Sequence, residues 1–164
     1  MSAYLTLMTP MVDRECLLQA LCDLGFGHQK IELHETPASL TGYRGDSRAQ
    51  VANIIIRRQY VGSASNDVGF LATPTGYQSI ISEFDLRNFG TGWTQELNTR
   101  YKHHEAVKHE RLAEEERKRV EEERKLLVEA QRRAIHERAA KLGYQVKETK
   151  EGETLRMVLV KRTY

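Results

Sequence analysis

The chain has 164 residues, 40% hydrophobic and 29% charged, which suffices for one modest core and leaves a charged excess to be placed elsewhere. Its net charge of +2 comes from interspersed signs, which argues against binding driven by a nucleic-acid backbone or an anionic membrane. No apolar run approaches a membrane span, and the first charged side chain is Asp13 with no basic segment ahead of an apolar one, so a cytoplasmic protein without a signal peptide is expected.

Ala3 to Met8 alternates weakly and reads as a first strand closed by Thr9-Pro10. Asp13 is suited to cap a helix that Glu15 supports in its first turn, with Leu17, Leu18, Leu21 and Leu24 as its apolar face and Gly25 as its end. Cys16 and Cys22 fall on that helix about 9 Å apart along its axis and about 120° apart around it. That spacing suits reduced, partly buried thiols better than a bridge, a metal site or a redox pair. His28 to His34 alternates as a half-buried strand that Thr36-Pro37 should stop, and Ser39 to Tyr43 forms a short strand before a turn at Gly45-Asp46.

The strongest strand signal is Ala49 to Val61, where Val51, Ile54, Ile55, Ile56 and Tyr60 supply β-branched and aromatic bulk. It belongs in the middle of a sheet. Asp67 to Ala72 and Tyr77 to Phe84 make a hairpin around Thr73-Pro74-Thr75-Gly76, and Asn88 to Gly92 is a flexible junction.

From Thr94, the expected cap, to Leu142 no Gly or Pro occurs, and the stretch holds 13 of the 25 bases and 11 of the 23 acids. Glu114–Lys118, Glu115–Arg119, Glu121–Lys125 and Glu129–Arg133 place an acid four residues ahead of a base, the favourable order on a helix. The spacing predicts one projecting helix roughly 70 Å long, ended by Gly143. Ala106, Ala113, Val120, Leu127 and Ala134 recur every seven residues. The second position of a coiled-coil seam falls on His109 and Glu110, Glu116 and Arg117, Glu123 and Arg124, so a solvated helix is favoured over a self-associating coiled coil. Trp93, Leu97, Tyr101 and His104 mark one packed end; Leu126, Leu127, Ala130, Ala134, Ile135 and Ala139 mark the other.

Gln145 to Lys147 and Leu155 to Arg162 form a last hairpin around Glu151-Gly152. A lone hairpin is not stable in water. It must pack on the helix end, on another protomer, or on the sheet after a reversal of the helix, and the absence of Gly and Pro disfavours a sharp reversal.

Five stretches together carry a family likeness: Asp13-Arg14-Glu15-Cys16-Leu17-Leu18-Gln19-Ala20-Leu21-Cys22-Asp23-Leu24-Gly25, Gly42-Tyr43-Arg44-Gly45, Asp67-Val68-Gly69-Phe70, Asn98-Thr99-Arg100-Tyr101 and Leu142-Gly143-Tyr144. With them the chain resembles the hypothetical chloroplast reading frame thirty-five family, a domain of unknown function in cyanobacteria, algal plastids and other bacteria. The charged residues 108 to 133 look inserted relative to the shorter plastid pattern. The family supplies no established catalytic residues. The resemblance implies a small soluble accessory protein, with a partner of the AAA-type ATPase or ferredoxin-like kind encoded near its relatives.

The candidate chemistry is sparse. His103, His104 and His109 lack the three- or four-residue spacing of helical metal ligands, and His28 and His34 stand about 20 Å apart along a strand. The loop Gly42-Tyr43-Arg44-Gly45-Asp46 lacks a phosphate-binding fingerprint with a following helix, and reads as a tight turn in which Gly42 and Gly45 take conformations other residues avoid. Asp13, Glu15, Asp23, Glu83 and Asp85 form no visible acid–base pair. The sequence therefore predicts an α+β protein: a mainly antiparallel sheet with one short packed helix over residues 1–92, a long charged helix over 93–143 and a hairpin over 144–164. It predicts no enzyme and no cofactor, but an adaptor working through protein contacts, with Leu126, Leu127, Ile135, Leu155, Met157 and Leu159 as the interaction surface of a partner or of a homo-oligomer. Two alternatives stay open: nucleic-acid association through Arg57, Arg58, Arg117, Lys118 and Arg119, and a non-catalytic subunit of an enzyme or ATPase complex.

Overall fold

A computed structural model describes residues 3–161; Arg162, assigned above to the last hairpin, lies outside them, as do positions 1, 2, 163 and 164. The chain divides into two compact units, Met1–His109 and Glu110–Tyr164. The division falls inside one helix rather than at its ends, because the first turns of that helix belong to the core of the first unit.

In the first unit, β1 (Tyr4–Met8), β2 (Ile31–Thr41), β3 (Ser47–Ile56), β4 (Val68–Thr73) and β5 (Gly76–Ser82) make a sheet of order β1-β5-β4-β3-β2. Every pairing in it is antiparallel. The helix α1 (Arg14–Asp23) is capped as expected, Asp13 accepting from the Cys16 amide at 3.0 Å. Its Cys16, Leu17, Ala20 and Leu21 meet Ile54, Ile56, Phe70 and Ile81 in the main core. Leu40, Ala52, Ile55 and Ile80 form a smaller cluster. The period-two alternation of a strand separates Ile55 from its two neighbours in this way. Gly69 lies opposite Ile55, and a Cβ there would sit 2.7 Å from Ala52 Cβ, so the close approach of neighbouring strands requires glycine.

Because Ile55 is fully buried between two paired strands, Ile55→Ala is expected to cost about 2–5 kcal/mol. Urea unfolding followed by circular dichroism measures it, and a loss below about 0.5 kcal/mol would mean that the smaller cluster closes over the gap.

Several boundaries differ from the sequence reading, beginning with His28–Lys30, which form a 3-10 turn ahead of β2 where a strand was expected. Pro37 does not stop β2, which runs on to Thr41 with a register shift between Leu33 and Ala38. An edge strand tolerates a missing donor, and a bulge absorbs the proline. The strand β3 ends at Ile56 and not at Val61, since Arg58–Val61 turns as a short helix, α2. Residues 83 and 84 do not extend β5; they begin a helix, α3 (Glu83–Phe89), which also takes in Asn88 and Phe89 of the expected flexible junction. Its signal is Ser82-Glu83-Phe84-Asp85, a capping pattern in which Ser82 Oγ accepts from the Asp85 amide at 3.1 Å. The first unit thus holds more than the one short helix expected. The long helix α4 (Trp93–Lys141) starts at Trp93, one residue before the predicted cap, and the Trp93 ring is stacked on Phe89 at 4.6 Å.

Tyr101 anchors the first part of α4. Its hydroxyl accepts from the amides of Val12 and Asp13 at 3.0 and 2.9 Å. Lys108 Nζ reaches Asp13 at 2.7 Å and Glu15 at 2.8 Å, and His104 Nε2 lies 2.7 Å from Asp23. The second unit holds the remainder of α4 and an antiparallel hairpin, β6 (Tyr144–Glu151) with β7 (Thr154–Lys161). Gly143, with φ of 77°, makes the left-handed exit from α4.

Candidate interaction surface

Two regions hold side chains that could act: a buried polar network in the first unit and an exposed surface in the second. In the network Asp67, fully buried, accepts from Thr41 N, Arg57 Nη1 and Arg58 N, each at 2.7 Å. Arg57 also pairs with Glu32 at 2.6 Å. This guanidinium, with His34 second, holds the Glu32 carboxyl below its ordinary range. Asp85 Oδ2 accepts from the Asn66 amide at 3.0 Å and from Ser82 Oγ at 2.5 Å, while its Oδ1 is buried without a hydrogen-bond partner among the described residues. Asn66 Oδ1 in turn accepts from Tyr43 N at 3.0 Å.

These carboxylates terminate backbone donors where strands end and fix the loops at 42–46 and 62–67, the work of framework acceptors. The loop at Gly42 is tight as expected, but only Gly45 has positive φ. A Cβ at Gly42 would lie 2.4 Å from Arg48 Nε, the end of a flexible side chain that can move aside. Among the described residues no group of three His, Cys, Asp or Glu is placed to hold a metal ion. Cys16 and Cys22 are free thiols, and burial pushes both up from their ordinary range, away from the reactive thiolate.

The basic residues proposed for nucleic acid are engaged with the protein itself. Arg57 is shared by Glu32 and Asp67, and Arg58 Nη1 donates to Tyr43 O at 2.5 Å. Arg117 Nε donates to Ala113 O, Lys118 pairs with Glu114 at 2.7 Å, and Arg119 pairs with Glu116 at 2.7 Å rather than with Glu115. Arg57 and Arg58 lie in the first unit and the other three in the second. Compared with protein-family models, curated proteins and solved structures, the chain has no match.

The second unit is unusual in what it leaves in water. Every residue from Glu110 to Gln131 is exposed, and among residues 110–161 only Ala139 is buried. Leu126, Leu127 and Leu159 are 71%, 60% and 52% exposed, and Ile135 is exposed too. Leu155 and Met157 are half-buried on the hairpin face that also carries Val146 and Glu148. Within the second unit a polar clamp ties the hairpin to the helix end. Arg132 donates to both oxygens of Glu148 at 2.7 and 2.6 Å, and His136 Nε2 lies 2.5 Å from Glu148 Oε1. Two parallel bonds from one guanidinium fix direction as well as distance. The clamp was missed in the sequence because its partners come from different elements, at positions with no periodic signal. Among the described residues no helix is long and apolar enough to cross a membrane.

Arg132, with His136 second, holds the Glu148 carboxyl down at about 2. A carboxylate depressed on folding stabilises the folded form above its unfolded titration near pH 4 to 4.5, and that contribution is lost as pH falls toward 2. NMR titration of Glu148 is expected to show a midpoint near 2, with the Val146 and Met157 amides losing dispersion over the same range. Arg132→Ala should raise the midpoint toward about 4, and Arg132→Ala with His136→Ala should complete the return. A midpoint already near 4 in the parent protein would show that the clamp does not form.

Proposed function

We propose that the protein is a non-enzymatic adaptor whose second unit docks another protein. The observation that carries this reading is the ratio of apolar to buried side chains over residues 110–161, where Leu126, Leu127 and Leu159 stand in water and Ala139 alone is buried. Burying each large side chain gains about 1.5–3 kcal/mol, and exposed apolar groups framed by charge are a feature of interaction sites. The family likeness suggests an AAA-type ATPase or a ferredoxin-like protein as partner. Phosphate binding has less support, because Arg57 and Arg58 already serve acceptors of the fold.

The test is the pair Leu127→Asp and Leu159→Asp in one chain. Affinity capture from cells is expected to lose the partners retained by the parent protein, and the dispersion of the sheet amides to be unchanged. Capture should also survive high salt, as an apolar anchor does and a phosphate-dominated contact does not. If every partner persists in the doubly substituted protein, the docking reading is wrong. Unfolding of the sheet as well would mean that the hairpin belongs to the main core.

A further inference from the structure

The hairpin of the second unit is a sheet of two strands, with β6 on one side of β7 and, among the described residues, no strand on the other. Two strands alone hold only marginally in water, and further strands are what make such a sheet stable. Gly152, with φ of 62°, opens a two-residue turn between the paired residues Glu151 and Thr154, and a turn of that kind closes on a hydrogen-bonded pair. From there the backbone alternates. Thr154, Arg156, Val158 and Val160 bond toward β6, while Leu155, Met157, Leu159 and Lys161 aim their N–H and C=O groups away from it. Those four outward residues are symmetric about Val158. We infer that the open edge of β7 pairs antiparallel with the same edge of a second copy, around a twofold axis perpendicular to the sheet at Val158.

The strand contains its own complement in this register. Directly opposed residues of an antiparallel pair share a face of the sheet, so Met157 meets Leu159 and Leu155 meets Lys161 on the face that carries Glu148. On the other face Val158 meets Val158 and Arg156 meets Val160. No two like charges are opposed. Met157 with Leu159 and Leu155 with Lys161 are hydrogen-bonded pairs, each occurring twice by symmetry, so every outward N–H and C=O from 155 to 161 gains a partner. The result is one four-stranded sheet of order β6-β7-β7-β6. Leu159, 52% exposed in the single chain, is then covered by Met157 of the second copy.

The other edge of the hairpin does not offer this. The outward groups of β6 are those of Tyr144, Val146, Glu148 and Lys150, symmetric about Lys147, so full overlap of two such edges would set Lys147 on Lys147. Charges on an edge strand are a common guard against pairing, and β6 carries Lys147, Glu148, Lys150 and Glu151 where β7 carries only Arg156 and Lys161. Val158 and Val160 are 48% and 36% exposed, so the centre of the β7 edge stands in water. A second copy brings both the open edge and the strand that fits it, and a closed twofold pair leaves neither β7 edge unpaired. The pairing goes beyond the docking reading, since it is made by the backbone edge of β7 and not by Leu126 or Leu127.

The test uses the full chain. By sedimentation velocity the parent protein is expected to approach twice the monomer mass as its concentration rises, and to stay there near 1 M salt, where charges are screened beyond about 3 Å. Val158→Lys and Val158→Glu each set like charges against one another at the axis, and each should raise the dimer dissociation constant about fivefold or more at low ionic strength. An equimolar mixture of the two should associate again. That recovery excludes simple loss of the hairpin. Register is read with Val158→Cys under a mild thiol oxidant, where mass spectrometry is expected to find the peptide joined through position 158 of both copies, since a facing pair without hydrogen bonds brings its side chains closest. A parent protein that stays monomeric up to about 1 mM, a dimer that salt dissociates, a mixture no tighter than either variant, or a dimer that forms no 158-to-158 link would each overturn the pairing. Partner capture is measured apart. A monomeric parent protein that still captures partners would defeat the pairing and leave the docking reading standing. Partners that persist in the Leu127 and Leu159 variant, with the 158-to-158 link formed in the Val158→Cys protein, would do the reverse.

Discussion

Asp67→Ala is expected to destabilise the first unit by about 3–5 kcal/mol, because it removes a buried acceptor that serves three donors, one of them charged. Asp67 is fully buried, and the donors that it leaves behind are Thr41 N, Arg58 N and Arg57 Nη1. The side chain of Arg57 is 25% exposed and retains Glu32, which holds the loss to this range rather than beyond it. For a domain of about 100 residues such a loss lowers the melting temperature by more than about 10 °C. Calorimetry of the parent and variant measures it. Asp67→Asn keeps the shape but not the charge, and should fall between them. A loss under about 1 kcal/mol would mean that water takes over the three donors, and that the network is less closed than its geometry implies.

Tyr101→Ala should cost a similar amount, about 3–5 kcal/mol, by emptying an aromatic site in the main core. Tyr101 is among the largest fully buried side chains. Its hydroxyl also takes the two amides at the start of α1. Tyr101→Phe separates the two parts: the ring stays, two donors lose their acceptor, and a loss of about 1–3 kcal/mol is expected. If Phe costs as much as Ala, the hydroxyl and not the ring fixes α4 to the first unit. Either result is read by chemical unfolding, with amide exchange of residues 94–104 showing whether the first turns of α4 are released before the sheet.

Both positions bear on what can be read from residue order. The local signals are read correctly where a neighbour a few residues away supplies the physics: Asp13 at the start of α1, Gly143 at the end of α4, the β-branched run in β3, and the charge pairs Glu114–Lys118 and Glu121–Lys125. Each is a matter of capping, propensity or i,i+4 spacing, and needs no tertiary context. The helix α3 was legible too, through Ser82 and Asp85, although hydrophobic alternation through residue 81 outweighs that cue when the chain is scanned for strands.

What only the tertiary structure decides are the places where distant residues compete with local preference. Val61 and Tyr60 are good strand formers, yet β3 ends at Ile56 because Asp67 accepts from the Arg58 amide and pairs with Arg57. Pro37 is a strand breaker, yet β2 carries it because the strand lies at the sheet edge. The hairpin's seat is fixed by Glu148 meeting Arg132 and His136, three polar residues that no apolar period marks. Sequence by itself determined the class of the fold, the long helix and the apolar groups that its end cannot bury. Which loop a buried carboxylate would hold, and which side of the helix a hairpin would leave open, were settled by contacts between residues far apart in the chain, since a hydrogen bond of that kind has no periodicity to betray it.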